Sequence, residues 1–232
     1  AVVRAPRRVT TMTAARVPVR SLMVVAVAGL VAAGLLTGCG DGDDATGDDG
    51  ALELAGVVRT PALDVSAVEL PNASEPEPVP TRMTADDGEV LLVYFGYTSC
   101  PDICPTTLSD ISVALGDLPA DQAERVTVGM VTVDPERDSA EVLSGYLGHF
   151  VDRSMALRTE DPEALATAAS AFGVRFEVAE HEPGADAYEV SHSAVTYVVD
   201  DTGTVVVEWP FGFESTDMAA DLTAILGASG SA

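Results

Sequence analysis

The residues best suited to chemistry are concentrated in one stretch, Tyr97-Thr98-Ser99-Cys100-Pro101-Asp102-Ile103-Cys104-Pro105-Thr106-Thr107. Its two cysteines stand four residues apart. If the residues between them are helical, both side chains lie on one face, with Cβ atoms about 5–6 Å apart. A small adjustment of that turn brings the Cβ atoms to the roughly 3.5–4.5 Å that a disulfide requires, and a similar one lets the sulfurs clasp a metal ion. Amides at a helix start, with the helix dipole, favour thiolate over thiol and should lower the pKa of at least one member of the pair. A thiolate is both a redox nucleophile and a soft-metal ligand, so three chemistries are open: a structural disulfide, a dithiol redox centre and a soft-metal site. A bridge enclosing only three residues removes little unfolded-state entropy. Dithiol oxidoreductases usually separate their cysteines by two residues, not three. A metal site needs at least one more ligand.

The surrounding pattern says what must position these sulfurs. Val90–Gly96 (VLLVYFG) is a near-continuous apolar run, as expected of a strand covered on both faces. Residues 104–118 repeat apolar side chains at helical spacing (Leu108, Ile111, Leu115, Leu118). Residues 126–133 (VTVGMVTV) read as a second buried strand, and 139–150 and 162–172 as helices, the latter with Asp161 as N-cap and Pro162 at its first position. Strands at 194–199 and 204–209 flank the turn Asp200-Asp201-Thr202-Gly203, and a helix over 216–226 ends at Gly227. Leu54–Val58 and Leu63–Leu70 suggest an N-terminal hairpin, and 71–89, with four prolines, a loop holding at most a short strand. This order predicts an α/β fold, a thioredoxin-like three-layer sandwich with an N-terminal β-hairpin extension. The loop leaving its first central strand, where such folds place their chemistry, carries Cys100 and Cys104.

Three histidines are candidates for the further ligand. His149, at the end of a helical stretch beside Phe150, reads as a surface residue. His181 sits in the acidic loop AEHEPGADAYE, with solvent as its default partner and at most a transient metal contact. His192 immediately precedes the strand AVTYVVD, and in a thioredoxin-like fold the loop there packs against the cysteine loop. Residues 179–191 before it are acidic and rich in Gly and Pro, which leaves its placement without metal to the mobility of that loop. Asp134 and Asp138 close the second strand at the same end of the sheet; orienting a ligand and shaping the turn are both open to them. Phe95 and Tyr97 read as packing residues.

All twelve cations are arginines, and five of them precede residue 39, where there is no acid. Beyond it seven arginines face 37 acids, a balance that repels phosphate backbones and argues against nucleic acid as a partner. At 47% hydrophobic residues the chain can still build a core. Residues 1–38 read as an export signal: Arg16 and Arg20, then the apolar run Ser21–Leu36, too short for the roughly 20 residues of a membrane span. The run ends in Leu36-Thr37-Gly38-Cys39, similar to the lipobox of bacterial lipoproteins, which implies lipidation at Cys39. Residues 39–51, almost all Gly, Asp, Ala and Thr, read as an acidic disordered tether, 52–227 as the folded domain and 228–232 as a tail. The expected location is the extracytoplasmic face of the cell membrane, held by a lipid anchor.

YFGYTSCPDICPTTL, then VTVDPERDS, then SHSAVTYVVD occur in that order and together resemble the Sco/SenC copper-chaperone family over roughly residues 52–226. The resemblance implies a thioredoxin-like fold and one copper ion held by Cys100, Cys104 and His192. It further implies delivery to the copper-bearing subunit of cytochrome c oxidase during assembly, with other copper-handling or thiol-reducing proteins as partners. The alternative is an enzyme, a thiol-disulfide oxidoreductase in which Cys100 and Cys104 are the redox pair acting on cysteines of that subunit. Two thiolates and an imidazole suit Cu(I), and can hold Cu(II) with an added oxygen ligand.

Overall fold

The computed structural model describes residues 52–229. The export-signal and tether readings, Cys39 among them, lie outside the described residues. Among the described residues no helix is long and apolar enough to cross a membrane.

In chain order the elements are β1 (Glu69–Asn72), β2 (Val79–Arg82), β3 (Val90–Gly96), α1 (Ile103–Asp117), α2 (Ala120–Ala123), β4 (Val126–Thr132), α3 (Ala140–Leu147), β5 (Ser154–Leu157), α4 (Pro162–Phe172), β6 (Phe176–Val178), β7 (Val190–His192), β8 (Val195–Val199), β9 (Val205–Pro210) and α5 (Ser215–Ser229). Seven strands form one sheet in the order β2-β1-β5-β4-β3-β8-β9, and β6 and β7 form a separate two-stranded ribbon. The central β3 runs parallel to β4 and antiparallel to β8. All seven of its residues are buried, which is what its unbroken apolar run requires.

Alternation along β3 sorts the layers, since successive side chains point to opposite faces. Tyr94 and Gly96 face α1: a Cβ added to Gly96 would lie 2.8 Å from Cys104 Sγ. Phe95 points the other way, to Phe172 of α4, whose ring lies 5.3 Å from it and 5.1 Å from that of Tyr197. The helices therefore cover both faces, the three-layer arrangement expected. α1 buries Cys104, Thr107, Leu108, Ile111 and Ala114, a stripe at three- and four-residue spacing. The cap on α4 is as expected: the Asp161 carboxylate accepts from the amides of Glu163 and Ala164, and Gly173 closes the helix in the left-handed region.

Four local expectations are corrected. Leu54–Val58 and Leu63–Leu70 do not pair with each other; Val57 bridges Glu208 and Asp64 bridges Thr204. The free edge of β9 supplies unpaired backbone groups, and this segment satisfies them. The N-terminal hairpin is instead β1 with β2, so the proline-rich stretch supplies the end of β1 and all of β2, the edge strand, where missing amide donors cost least. The segment before α4 contains β5, a short strand parallel to β4. Finally, Gly227 does not cap α5, which runs through it to Ser229, two residues into the expected tail.

Candidate metal centre

The cysteine loop begins where β3 ends. Asp138 fixes it: this fully buried carboxylate accepts from Thr98 N at 3.0 Å, Thr98 Oγ1 at 2.5 Å and Thr132 Oγ1 at 2.6 Å. Three donors hold a charge-bearing group in the interior, where an unpaired one would be costly. Burial nonetheless pushes its pKa up, against those hydrogen bonds. Of the two roles open to Asp138, the structure shows one that combines them, since the turn residue holds the loop from which Cys100 projects.

α1 starts without a side-chain cap from Asp102. The amide of Cys104 donates instead to Cys100 Sγ at 3.4 Å, so a sulfur fills the place of the usual capping oxygen. Both cysteines are free thiols, Cys100 partly exposed and Cys104 buried. Tyr94, wholly buried, donates its hydroxyl to Cys104 Sγ at 3.6 Å. The expectation of a lowered pKa fails for Cys104. Desolvation is the largest influence and carries its thiol up to about 12, over the opposing hydrogen bonds from Tyr97 and Tyr94. At Cys104, fully buried, the cost of desolvating a thiolate outweighs what the helix start offers it.

His192 comes from the other end of the domain. It ends β7, pairing with Phe176 across the ribbon, so the segment expected to be a loop is partly strand. Its Nε2 lies 3.4 Å from Cys104 Sγ, across 88 residues of sequence. Its Nδ1 faces the carbonyl of Ser193 at 3.0 Å. A carbonyl can only accept, so Nδ1 carries the ring proton and Nε2 presents its lone pair to the sulfur. Burial lowers the imidazole pKa, which keeps the ring neutral at pH 7. The rings of Tyr94 and Tyr97 meet it edge-on, with centroids 5.9 and 5.8 Å away. This geometry lets the Cys104 thiol donate toward Nε2, in the space a metal ion would take.

Ligand atoms of Cys100, Cys104 and His192 all lie within 4.8 Å of one another, and this is the candidate metal group among the described residues. Two ligands bonded to one first-row ion at about 2.0–2.3 Å can be at most about 4.6 Å apart, so closure needs only small movements. The other histidines are elsewhere. His149 Nδ1 binds the carbonyl of Gly145, and His181 pairs with Glu136 at 2.9 Å and stacks on Tyr188 at 3.6 Å. Asp134, also buried, accepts from Arg137 and Tyr188. Phe95 packs as read, while Tyr97 adds a hydrogen bond to Val190 O at 3.2 Å. Tyr94 and Gly96 went unnoticed in the sequence. The available signal was a hydroxyl and a missing side chain inside an otherwise apolar buried run.

Residues 80–227 match the model of the SCO1/SenC family. The chain belongs to that family. Among its relatives, a Stutzerimonas stutzeri protein named for copper binding is 37% identical over 114 residues, 49% of this chain and 54% of that protein. The chain spans about half the length of the curated relatives it matches. Apo Sco1 from Thermus thermophilus is 33% identical with a TM-score of 0.61, covering 75% of this chain and 96% of that one. ScoI from Bradyrhizobium japonicum, solved with copper bound, is 28% identical with a TM-score of 0.56, covering 67% and 95%. These matches agree with the thioredoxin-like sandwich and with the family read from the three motifs.

Proposed function

We propose that this chain is a copper metallochaperone that takes up one copper ion through Cys100, Cys104 and His192 and passes it to the copper-bearing subunit of cytochrome c oxidase. The observation that carries the reading is the convergence of two thiols and one imidazole lone pair within 4.8 Å. Two soft sulfurs and one nitrogen satisfy Cu(I), which accepts low coordination numbers, whereas a closed structural zinc site takes four ligands. A three-ligand site leaves one side of the ion open to an incoming ligand, as cargo transfer requires. Oxidation of the two thiols to a disulfide would remove both anionic ligands together and release the ion. What supports the oxidase as recipient is a relative's description as a member of the Sco family of cytochrome c oxidase assembly proteins, together with copper in the solved relative. Our reading also places the domain on the extracytoplasmic face of the membrane, lipid-anchored through Cys39. A tether there raises the effective concentration of cargo at a membrane-embedded recipient.

A second reading, a thiol-disulfide oxidoreductase acting on the same subunit, draws support from the two free thiols, one partly exposed, and from the amide aimed at Cys100 Sγ. Its resolving thiol would be Cys104, which burial holds protonated. Titrating the reduced chain with Cu(I) against a competing chelator separates the two. The chaperone takes up one equivalent tightly, and His192→Ala loses that tight binding and keeps only the weaker hold of the two thiolates. A pure reductase binds copper poorly and keeps its exchange rate in that variant.

A further inference from the structure

The two halves of the site come from segments 88 residues apart, and something must hold them in register. The ribbon that carries His192 has only three residue pairs, and a two-stranded hairpin of that size is marginal alone in water. Its ends are joined by residues 179–189, whose exposed acids (Glu180, Glu182, Glu189) give it no core of its own. Tyr97 holds β7 directly through Val190 O, and the contacts that hold the connection converge on one short segment, Asp134-Pro135-Glu136-Arg137-Asp138.

Resting on the copper-site reading above, we infer that residues 134–138 form a bracket registering the histidine ribbon against the cysteine loop, with Glu136, Arg137 and Tyr188 as positioning residues for His192. One side of the bracket is Asp138, which grips Thr98 at the root of the cysteine loop. The other side grips the connection that closes the ribbon. Buried Asp134 accepts from Tyr188 OH through one oxygen and from Arg137 Nε through the other. Arg137 then donates from Nη1 to the carbonyl of Tyr188 at 3.3 Å, and its guanidinium lies 3.8 Å over the Tyr188 ring. Glu136 accepts from the amide of Gly184 at 2.6 Å and pairs with His181 at the far end of the connection. Tyr188 is two residues from β7 and four from His192, so its anchoring limits where the imidazole can travel. Arg137 is one of seven arginines beyond residue 38; here it neutralises a buried carboxylate that would otherwise repel the acidic connection. Positions 134, 136 and 137 hold the connection that closes the ribbon and 138 holds the cysteine loop, so the segment couples both halves of the site through four consecutive peptide bonds.

The test uses the reduced chain carrying Tyr188→Phe, which removes one hydroxyl and keeps the ring, and separately Glu136→Gln at the exposed tip. Each is made with His192 intact and in a His192→Ala background. The bracket predicts that Tyr188→Phe weakens Cu(I) binding about tenfold, the usual scale for groups that orient a metal ligand, with a smaller loss for Glu136→Gln. Both losses disappear in the His192→Ala background. Equal losses in the two backgrounds, or none, overturn the proposal, because a general effect on folding does not depend on the imidazole. A copper-free measurement stands beside it: amide exchange at residues 190–192 accelerates in Tyr188→Phe, and unchanged exchange also overturns the bracket. Failure of the unaltered chain to take up Cu(I) defeats the copper reading itself, and the exchange measurement then still judges the bracket.

Discussion

Gly96 offers the sharpest single test of the geometry, because its missing side chain is the space the site occupies. A Cβ there would lie 2.8 Å from Cys104 Sγ, 2.8 Å from Tyr94 Cε1 and 3.1 Å from Met130 Cε, against ordinary contacts of 3.4–4 Å. Each of the first two gaps is short by 0.6 Å or more. The methionine end can swing aside, but the Tyr94 ring is wholly buried and cannot. Relief must come from Cys104, either by turning its sulfur away from His192 and the Tyr94 hydroxyl or by lifting α1 off β3. Overpacking of this kind costs about 1–3 kcal/mol, and in a domain of this size each kcal/mol lowers Tm by roughly 2–4 °C. Gly96→Ala should therefore melt several degrees lower and bind Cu(I) at least about tenfold more weakly. Gly129→Ala is the control. Its Cβ would meet Leu157 Cδ1 at 3.0 Å, in the core and away from the sulfurs, so it shares the destabilisation without the loss of affinity. The assay is chelator competition for Cu(I) on the reduced proteins, with thermal melts alongside. Affinity unchanged in Gly96→Ala, or reduced no more than in Gly129→Ala, refutes the placement of Cys104 Sγ against β3.

Copper uptake must also depend on pH. The Cys104 thiol, held near 12 by burial, is protonated throughout the neutral range, so binding expels its proton and affinity rises at least tenfold for each pH unit between 7 and 9. A shallower slope in chelator competition refutes a buried thiol as ligand. Beside β9, at the edge of the sheet, buried Asp221 accepts from Trp209 Nε1 at 2.9 Å and from the amides of Ala55 and Gly56 at 2.6 and 3.0 Å, clamping the N-terminal segment onto β9 and α5. Asp221→Ala should cost about 2–4 kcal/mol, since several donors to a charged acceptor lose it. It should also shift the emission of Trp209, the one tryptophan, and accelerate amide exchange at residues 55 and 56, while Cu(I) affinity stays as it was; an unchanged urea midpoint counts against the clamp.

Much of this protein is written in local pattern. Val90–Gly96 announces a strand buried on both faces because every residue in it is apolar or Gly, and the Asp161-Pro162 pair announces a helix start because a carboxylate and a fixed φ are what that start needs. Cys100 and Cys104 declare a sulfur pair through their spacing alone, and the strand after His192 marks the histidine worth attention. β5, with four residues, is too short to show a period, and the ribbon of β6 and β7 is too polar and broken to read as strand. The N-terminal pairing eluded pattern because an edge strand takes whichever neighbour offers free backbone groups, and that choice is made in three dimensions.

The sequence by itself determined which atoms could bind a soft ion and which helix and strand would present the sulfurs. Tertiary structure decided the rest: that Nε2 of His192 meets Cys104 across 88 residues, that Asp134 and Asp138 grip opposite halves of the site, and that Cys104 is a buried, protonated thiol although a helix start favours the thiolate for at least one of the pair. The reason is physical. Propensity and periodicity act between neighbours along the chain, whereas desolvation and long-range contact depend on what the finished packing lays over each atom.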